Sequence, residues 1–216
     1  MVKRTHRWYI RELLEKNKNE WNILDLGCGA RSPWDQAHTY LDINNHELRY
    51  TGKRFIQGDI HNTPFKDKEF DFIIAAQIAE HATDPQKFID ELMRIGKRGF
   101  IELPTPFGDN IVLGNDAHHP WWVTFDDVRQ QIIYTPKIRV LNEQLWFREY
   151  NMLLPFFRDS LVTELYWEDS IEWVHGDQEF EVLGKKIDLK EQRIKPWVFG
   201  QVSLHDIQKL KNKNKL

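Results

Sequence analysis

A brief apolar run, Trp21-Asn22-Ile23-Leu24-Asp25-Leu26, stops at Gly27-Cys28-Gly29. A run this short, without polar alternation, reads as a strand buried on both faces, and two glycines one residue apart mark a tight turn at its carboxyl end. A strand covered on both faces belongs to a parallel sheet with crossover connections, which confines the chain to a layered α/β architecture. Further short apolar segments at 39–43, 54–57, 70–76 and 99–103 supply partner strands. Asp84-Pro85 opens a helix with Asp84 as cap and Pro85 in the first turn, and Phe88, Ile89, Leu92, Met93 and Ile95 fall on one face.

After Pro104 the rhythm changes. Residues 104–120 are turn-rich, and the aromatic segments 121–125, 131–134 and 144–150 read as strands of an irregular or antiparallel lobe. A helix is expected over 155–165, strands over 166–173 and 179–183, and a frayed tail over 209–216. Near the start, Trp8, Ile10, Leu13 and Leu14 are spaced among charges as on an amphipathic covering helix over 3–16. A length of 216 residues with 41% hydrophobic content suits one core with an elaboration, divided at 1–106 and 107–216 within one compact domain.

Composition narrows the function classes. The net charge is −3, from 30 basic and 33 acidic residues, so no overall field draws nucleic acid or membrane. Basic clusters at 3–7 and 209–215 read as solvated ends rather than a nucleic-acid surface. Residues 1–16 lack the apolar stretch of a secretory signal and no run is long enough to span a bilayer, so a cytoplasmic protein is expected. The single cysteine, Cys28, excludes an internal disulfide and a multi-cysteine zinc site.

The glycine turn gains meaning from the next two strand ends. Asp42 ends the second strand 17 residues after Asp25, where a carboxylate accepts both hydroxyls of a ribose, and Gly58-Asp59-Ile60 comes after the third strand with an acceptor and a backbone donor at adenine height. Three successive strand ends thus each present one piece of a nucleoside site. This series resembles the class I S-adenosylmethionine-dependent methyltransferases, in particular the large small-molecule-type group with a strand-Asp-x-Gly-x-Gly motif. Thr63-Pro64-Phe65, the run from Phe70 to Gln77, the pair Glu80-His81, Asp84-Pro85 and residues 88–104 are similar to that group in order, over roughly residues 20–106.

The resemblance implies a Rossmann-like, doubly wound, mostly parallel sheet with S-adenosyl-L-methionine as cofactor. Gly27 and Gly29 would underlie its methionine part, Asp42 would hold its ribose, Asp59 and Ile60 would frame its adenine, Ile43 would also contact the cofactor, and Gln77 would begin the loop beside the sulfonium. Asp25 orders the glycine turn or reaches the amino group through water. The family's third glycine is replaced by Arg31, with Ser32-Pro33 next, and only about a dozen residues separate the turn from Asp42. The first crossover helix is therefore shortened, and Arg31 is a candidate to supply by side chain the positive charge a helix start would give.

The ends of the fourth and fifth strands nominate Glu80 and His81, then Thr105 and the segment from Asp116 to Trp122, as neighbours of the methyl group. His81, His118 and His119 are candidate bases, with Glu80 orienting one of them; the alternatives are a helix brace for the Glu-His pair and loop packing for the other histidines. No metal is expected, since adjacent histidines seldom point to one ion. Trp121 and Trp122 either wall a substrate pocket or pack a core. The acceptor is expected to be a small molecule methylated at O, N or C. Two rivals stay open: a non-catalytic binder of the same cofactor, and an NAD-type oxidoreductase, which would want Gly-x-Gly-x-x-Gly opening a full helix.

Overall fold

A computed structural model describes residues 1–112, 118–137, 147–176, 179–182 and 185–188. In chain order the elements are β1 (Val2–Arg4), α1 (Arg7–Asn17), β2 (Ile23–Leu26), β3 (Thr39–Asp42), β4 (Arg54–Gln57), β5 (Phe72–Ala76), α2 (Pro85–Ile95), β6 (Arg98–Pro104) and α3 (Pro106–Ile111). They continue with β7 (Trp121–Asp126), β8 (Gln131–Pro136), α4 (Phe147–Leu161), β9 (Val162–Glu168), β10 (Glu172–His175), β11 (Glu179–Val182) and β12 (Lys185–Asp188). The chain divides into two compact units, Met1–Gly176 and Asp177–Leu216. In the second, β11 and β12 pair antiparallel.

The first unit is built on a seven-stranded sheet of order β1-β9-β6-β5-β2-β3-β4. The strands from β6 to β4 run parallel, while β9 pairs antiparallel with both β6 and β1. This is the mostly parallel α/β sheet expected from the sequence. Chain order runs outward from β2 through β3 to β4 on one side and from β5 through β6 on the other, so strand order reverses between β2 and β5. Ligands of open α/β sheets bind beyond the carboxyl ends of the strands at such a reversal.

Burial explains the short apolar runs. All four residues of β2 and of β3 are buried, as are the first four of β5. One core layer joins Leu24, Leu26, Ile73 and Leu165 to the α2 face of Phe88, Ile89, Leu92 and Ile95. The other joins Ile23, Ile74 and Phe100 to Ile10 and Leu14 of α1. The start of α2 is as the sequence reads: the Asp84 carboxylate accepts from Lys87 N, and Pro85 occupies the first turn.

The connection from β2 to β3 contains no helix. Its anchor is Trp34, 1% exposed, set edge-on to Phe100 and covered by the guanidinium groups of Arg7 and Arg11 at 4.5 and 5.2 Å from its ring. A twelve-residue link with Pro33 at its middle closes around an aromatic plug where a longer one would have wound a helix.

Three sequence expectations are corrected. Residues 2–4 form an edge strand, so the covering helix starts at Arg7 instead of residue 3. The strand expected over 144–150 is replaced from Phe147 onward by α4, which carries Pro155 internally with a kink at Phe157 (φ −127°, ψ 26°), and residues 144–146 lie outside the described residues. The helix expected over 155–165 ends at Leu161, because the alternating run from Val162 to Glu168 fits a strand and is captured between β6 and β1. Beyond it, β7, β8 and β10 form a separate three-stranded sheet, within which β10 runs parallel to β8. The tail at 209–216 also lies outside the described residues. Among the described residues, no helix is long and apolar enough to cross a membrane.

Removing the plug should be costly. Trp34→Ala is expected to lower unfolding free energy by about 3–5 kcal/mol in urea titrations, whereas Leu48→Ala, at a side chain 94% exposed, should stay within about 0.5 kcal/mol of the parent.

Candidate functional site

The strand-order reversal places two tight turns side by side. After β2, Gly27 and Gly29 adopt left-handed backbone angles, φ 74° and 60°. A Cβ on Gly27 would lie 2.5 Å from Ile78 Cγ1, so this glycine is required by the protein's own packing. A Cβ on Gly29 would meet nothing within 4 Å, so the open space lies over Gly29. After β5, Gln77 is also left-handed at φ 57°, an expensive conformation for a residue with a side chain. It is held by its N–H donating to Glu102 O at 2.6 Å.

Carboxylates organise the glycine turn from two sides. Asp42 Oδ2 accepts from Gly29 N at 2.8 Å and its Oδ1 from Asn44 N at 2.9 Å, which joins the ends of β2 and β3. Each oxygen retains a lone pair for a further donor. Asp25 is buried and accepts the Ser32 hydroxyl, while Ser32 Oγ accepts from Trp34 N at 3.0 Å. The Tyr50 hydroxyl lies 2.9 Å from Gly29 O and accepts from Ser32 N at 3.0 Å. Tyr50 is a positioning residue the sequence reading missed, because nothing in the local pattern ties it to the turn.

The remaining nucleoside candidates lie on the neighbouring strand ends. Ile43 exposes 65% of its surface directly after Asp42, an apolar face suited to covering a flat ring. Asp59 accepts from His61 N at 2.9 Å and keeps an exposed carboxylate, with Ile60 buried behind it. Arg31 is exposed and lines a second cleft with Arg49 and Lys53. Cys28 is buried and its thiol is pushed up to about 12 by burial, with Asp25 and Asp42 adding to the effect, which removes it as a nucleophile.

Beyond Gln77 lies a cavity of about 300 Å³ lined by Arg7, Glu80, His81, Glu102, His119 and Tyr150, among others. Its floor is a network in which Glu102 receives Arg7 at 3.2 Å and Arg158 at 2.5 Å, and Arg158 also reaches Glu164 at 2.5 Å. These four residues come from distant parts of the sequence and carried no motif. Burial holds the Glu102 carboxyl above its usual range despite Arg7 and Arg158.

The histidine pair separates. The His118 ring is exposed and is not part of the cavity wall, and its carbonyl oxygen lies 3.1 Å from His81 Nδ1. His119 is buried, with Nδ1 2.5 Å from Asp109 Oδ1, and its ring meets His81 edge-on at 4.3 Å. Burial, then His119, lowers His81 to about 4, and burial raises Glu80 to about 8 with Asp109 and Glu102 adding. Thr105 caps α3, accepting from Gly108 N and donating to Ser160 O. Trp121 donates to Ala82 O at 2.7 Å and packs on Tyr134, and Trp122 is buried. Asp116 lies outside the described residues.

Known proteins are similar to part of this sequence. A family model for a methyltransferase domain matches residues 24–101, the span from β2 to β6 that carries both turns. The likeness to methyltransferases in that model extends over residues 24–101, just over a third of the chain. Over 97 residues the chain is 31% identical to a sterol 24-C-methyltransferase of Gibberella zeae, covering 37% of this chain and 26% of that protein. Over 103 residues it is 40% identical to norajmaline N-methyltransferase of Rauvolfia serpentina, covering 39% and 35%. A solved SAM-dependent methyltransferase from Methanosarcina mazei is 14% identical with a TM-score of 0.40, covering 70% of this chain and 93% of that one. The chain spans about a quarter to a third of the length of these two curated relatives. The cofactor of the methyltransferase family is S-adenosyl-L-methionine, and the open space over Gly29 beside the Asp42 carboxylate fits it.

The buried acid under the turn sets a pH dependence. Burial, with Asp42 adding, raises Asp25 from its ordinary 3.8 to about 7, against the Ser32 hydrogen bond and Arg7. Between those values the fold keeps a proton that the unfolded chain releases, so the contribution of Asp25 to stability is full at and below about pH 4, falls as pH rises, and levels off above about 7. In Asp25→Asn, which still accepts from Ser32, that fall should be smaller by on the order of 4 kcal/mol between pH 4 and 7, as read by urea unfolding at stepped pH.

Proposed function

We propose that the chain is an S-adenosylmethionine-dependent methyltransferase acting on a small molecule at an O, N or C atom, with the donor over the glycine turn and the acceptor in the cavity beyond Gln77. The carrying observation is that the turn at Gly27 and Gly29, the Asp42 carboxylate and the Gln77 turn meet at the strand-order reversal, and that Gln77 also lines that cavity. Asp42 takes the ribose hydroxyls on its remaining lone pairs, Ile43 covers the adenine, Asp59 accepts from its amino group, and the Ile60 N–H is the backbone donor to the ring. Arg31 is assigned to the cofactor carboxylate, a role its exposure permits. When bound, the cofactor supplies a methyl group already activated by a sulfonium, so the chain's work is to align an acceptor lone pair and exclude water.

Isothermal titration of the purified chain with S-adenosylmethionine tests the donor site. Asp42→Ala should abolish binding, and Asp42→Asn, which preserves an acceptor for Gly29 N–H, should weaken it at least tenfold; near-normal affinity in both would overturn the ribose assignment. Arg31→Ala should weaken binding about tenfold if its charge meets the carboxylate, and unchanged affinity would remove Arg31 from the site. Formation of S-adenosylhomocysteine with a panel of hydroxyl, amine and nucleophilic-carbon acceptors distinguishes an enzyme from a binder.

A further inference from the structure

Glu80, His81 and His119 share one wall of the cavity, and one ligand atom from each lies within 4.8 Å of the others. Glu80 is 1% exposed, and among the described residues neither of its carboxylate oxygens has a hydrogen-bond partner on another residue. A buried carboxyl group without a hydrogen-bond partner is costly in either protonation state, and buried acids in folded proteins are as a rule paired or coordinate a cation.

The histidines are set up in the complementary way. His119 Nδ1 faces the Asp109 carboxylate at 2.5 Å, and Asp109 is itself gripped by Lys137 at 2.7 Å. His81 Nδ1 faces the His118 carbonyl oxygen at 3.1 Å. Both partners are acceptors, which places each ring's proton on Nδ1 and leaves the Nε2 lone pair available. A carboxylate or a carbonyl behind each imidazole is how proteins orient histidine ligands of metals.

We propose that Glu80, His81 and His119 bind a divalent transition-metal ion, with zinc as the reference case. Two imidazole nitrogens and one carboxylate form a borderline donor set that suits zinc, cobalt or ferrous iron better than the all-oxygen preference of magnesium or calcium. Ligand atoms around a tetrahedral zinc stand about 3.4 Å apart, so the three side chains must draw together by about 1 Å. Three protein ligands leave a coordination position open, and it faces the cavity because all three residues line it. The expectation of no metal rested on His118 beside His119; the fold instead pairs His119 with His81, 38 residues away.

The site stands whether or not methyl transfer occurs. Its use to hold and acidify a hydroxyl or thiol of the acceptor rests on the methyltransferase reading.

The test uses the full chain without an affinity tag, stripped with a chelator and titrated with Zn²⁺, Co²⁺ and Mg²⁺ separately. Metal content by mass spectrometry, the thermal midpoint and the visible Co²⁺ spectrum are read, with S-adenosylmethionine affinity by calorimetry alongside. About one Zn²⁺ or Co²⁺ per chain, a raised midpoint, and at least tenfold weaker binding in Glu80→Gln and His119→Ala are expected, with Mg²⁺ ineffective. His81→Ala, at a half-buried position ending the short 3-10 turn Ala79–His81, serves should either buried variant fail to fold. Absence of Zn²⁺ and Co²⁺ binding by the parent, or full stoichiometry with an unaltered Co²⁺ spectrum in His81→Ala, would overturn the proposal. Loss of S-adenosylmethionine binding in the parent would count against the methyltransferase reading and leave the metal result intact.

Discussion

One hydrogen bond, from Gly29 N–H to the Asp42 carboxylate, couples the ends of adjacent strands at the place where strand order reverses. Folds of this class often rely on a helix beginning at the first glycine turn, whose free N–H groups and dipole receive an anion. Here that helix is absent, and side chains secure the loop: Asp42 from one side, the Asp25–Ser32 pair from below, Tyr50 across its backbone, and Trp34 as the plug at its far end. The consequence is a turn whose shape depends on polar contacts as well as on backbone pattern.

Those contacts also explain why buried acids recur around the site. Asp25, Glu80 and Glu102 are each nearly inaccessible to water, and each is handled differently: the first by a hydroxyl, the last by two arginines. Of these three, Glu80 alone has no donor on another described residue. In a protein interior that contrast carries information, because an acid that merely braces a loop would be expected to have found an N–H.

The sequence made the central layer legible. Short apolar runs closed by Gly27-Cys28-Gly29, Asp42 and Gln77 point to buried parallel strands, and Asp84-Pro85 marks its helix within a residue, since caps and strand ends are set by local chemistry. Beyond Pro104 local signals misled. Pro155 resembles a helix start but sits inside α4, and the aromatic segment before it has strand propensity that tertiary packing overrides. The cavity was hidden for another reason: Arg7, Glu102, Arg158 and Glu164 converge from four elements, and His119 finds its partners across the fold, so no spacing rule could reveal them.

The outermost strand has an implication for how the molecule assembles. Among the described residues β1 pairs only with β9, Val2 opposite Trp167, and β9 in turn fills the gap beside β6. Residues at the start of the chain therefore have no place in the sheet until a segment more than 160 positions later has been made and inserted. Such a long loop closure slows folding, and until it occurs β6 presents an unpaired edge to any neighbouring extended chain. Synthesis on the ribosome would expose that edge longest, so the risk of misassembly is concentrated in the last stage of maturation.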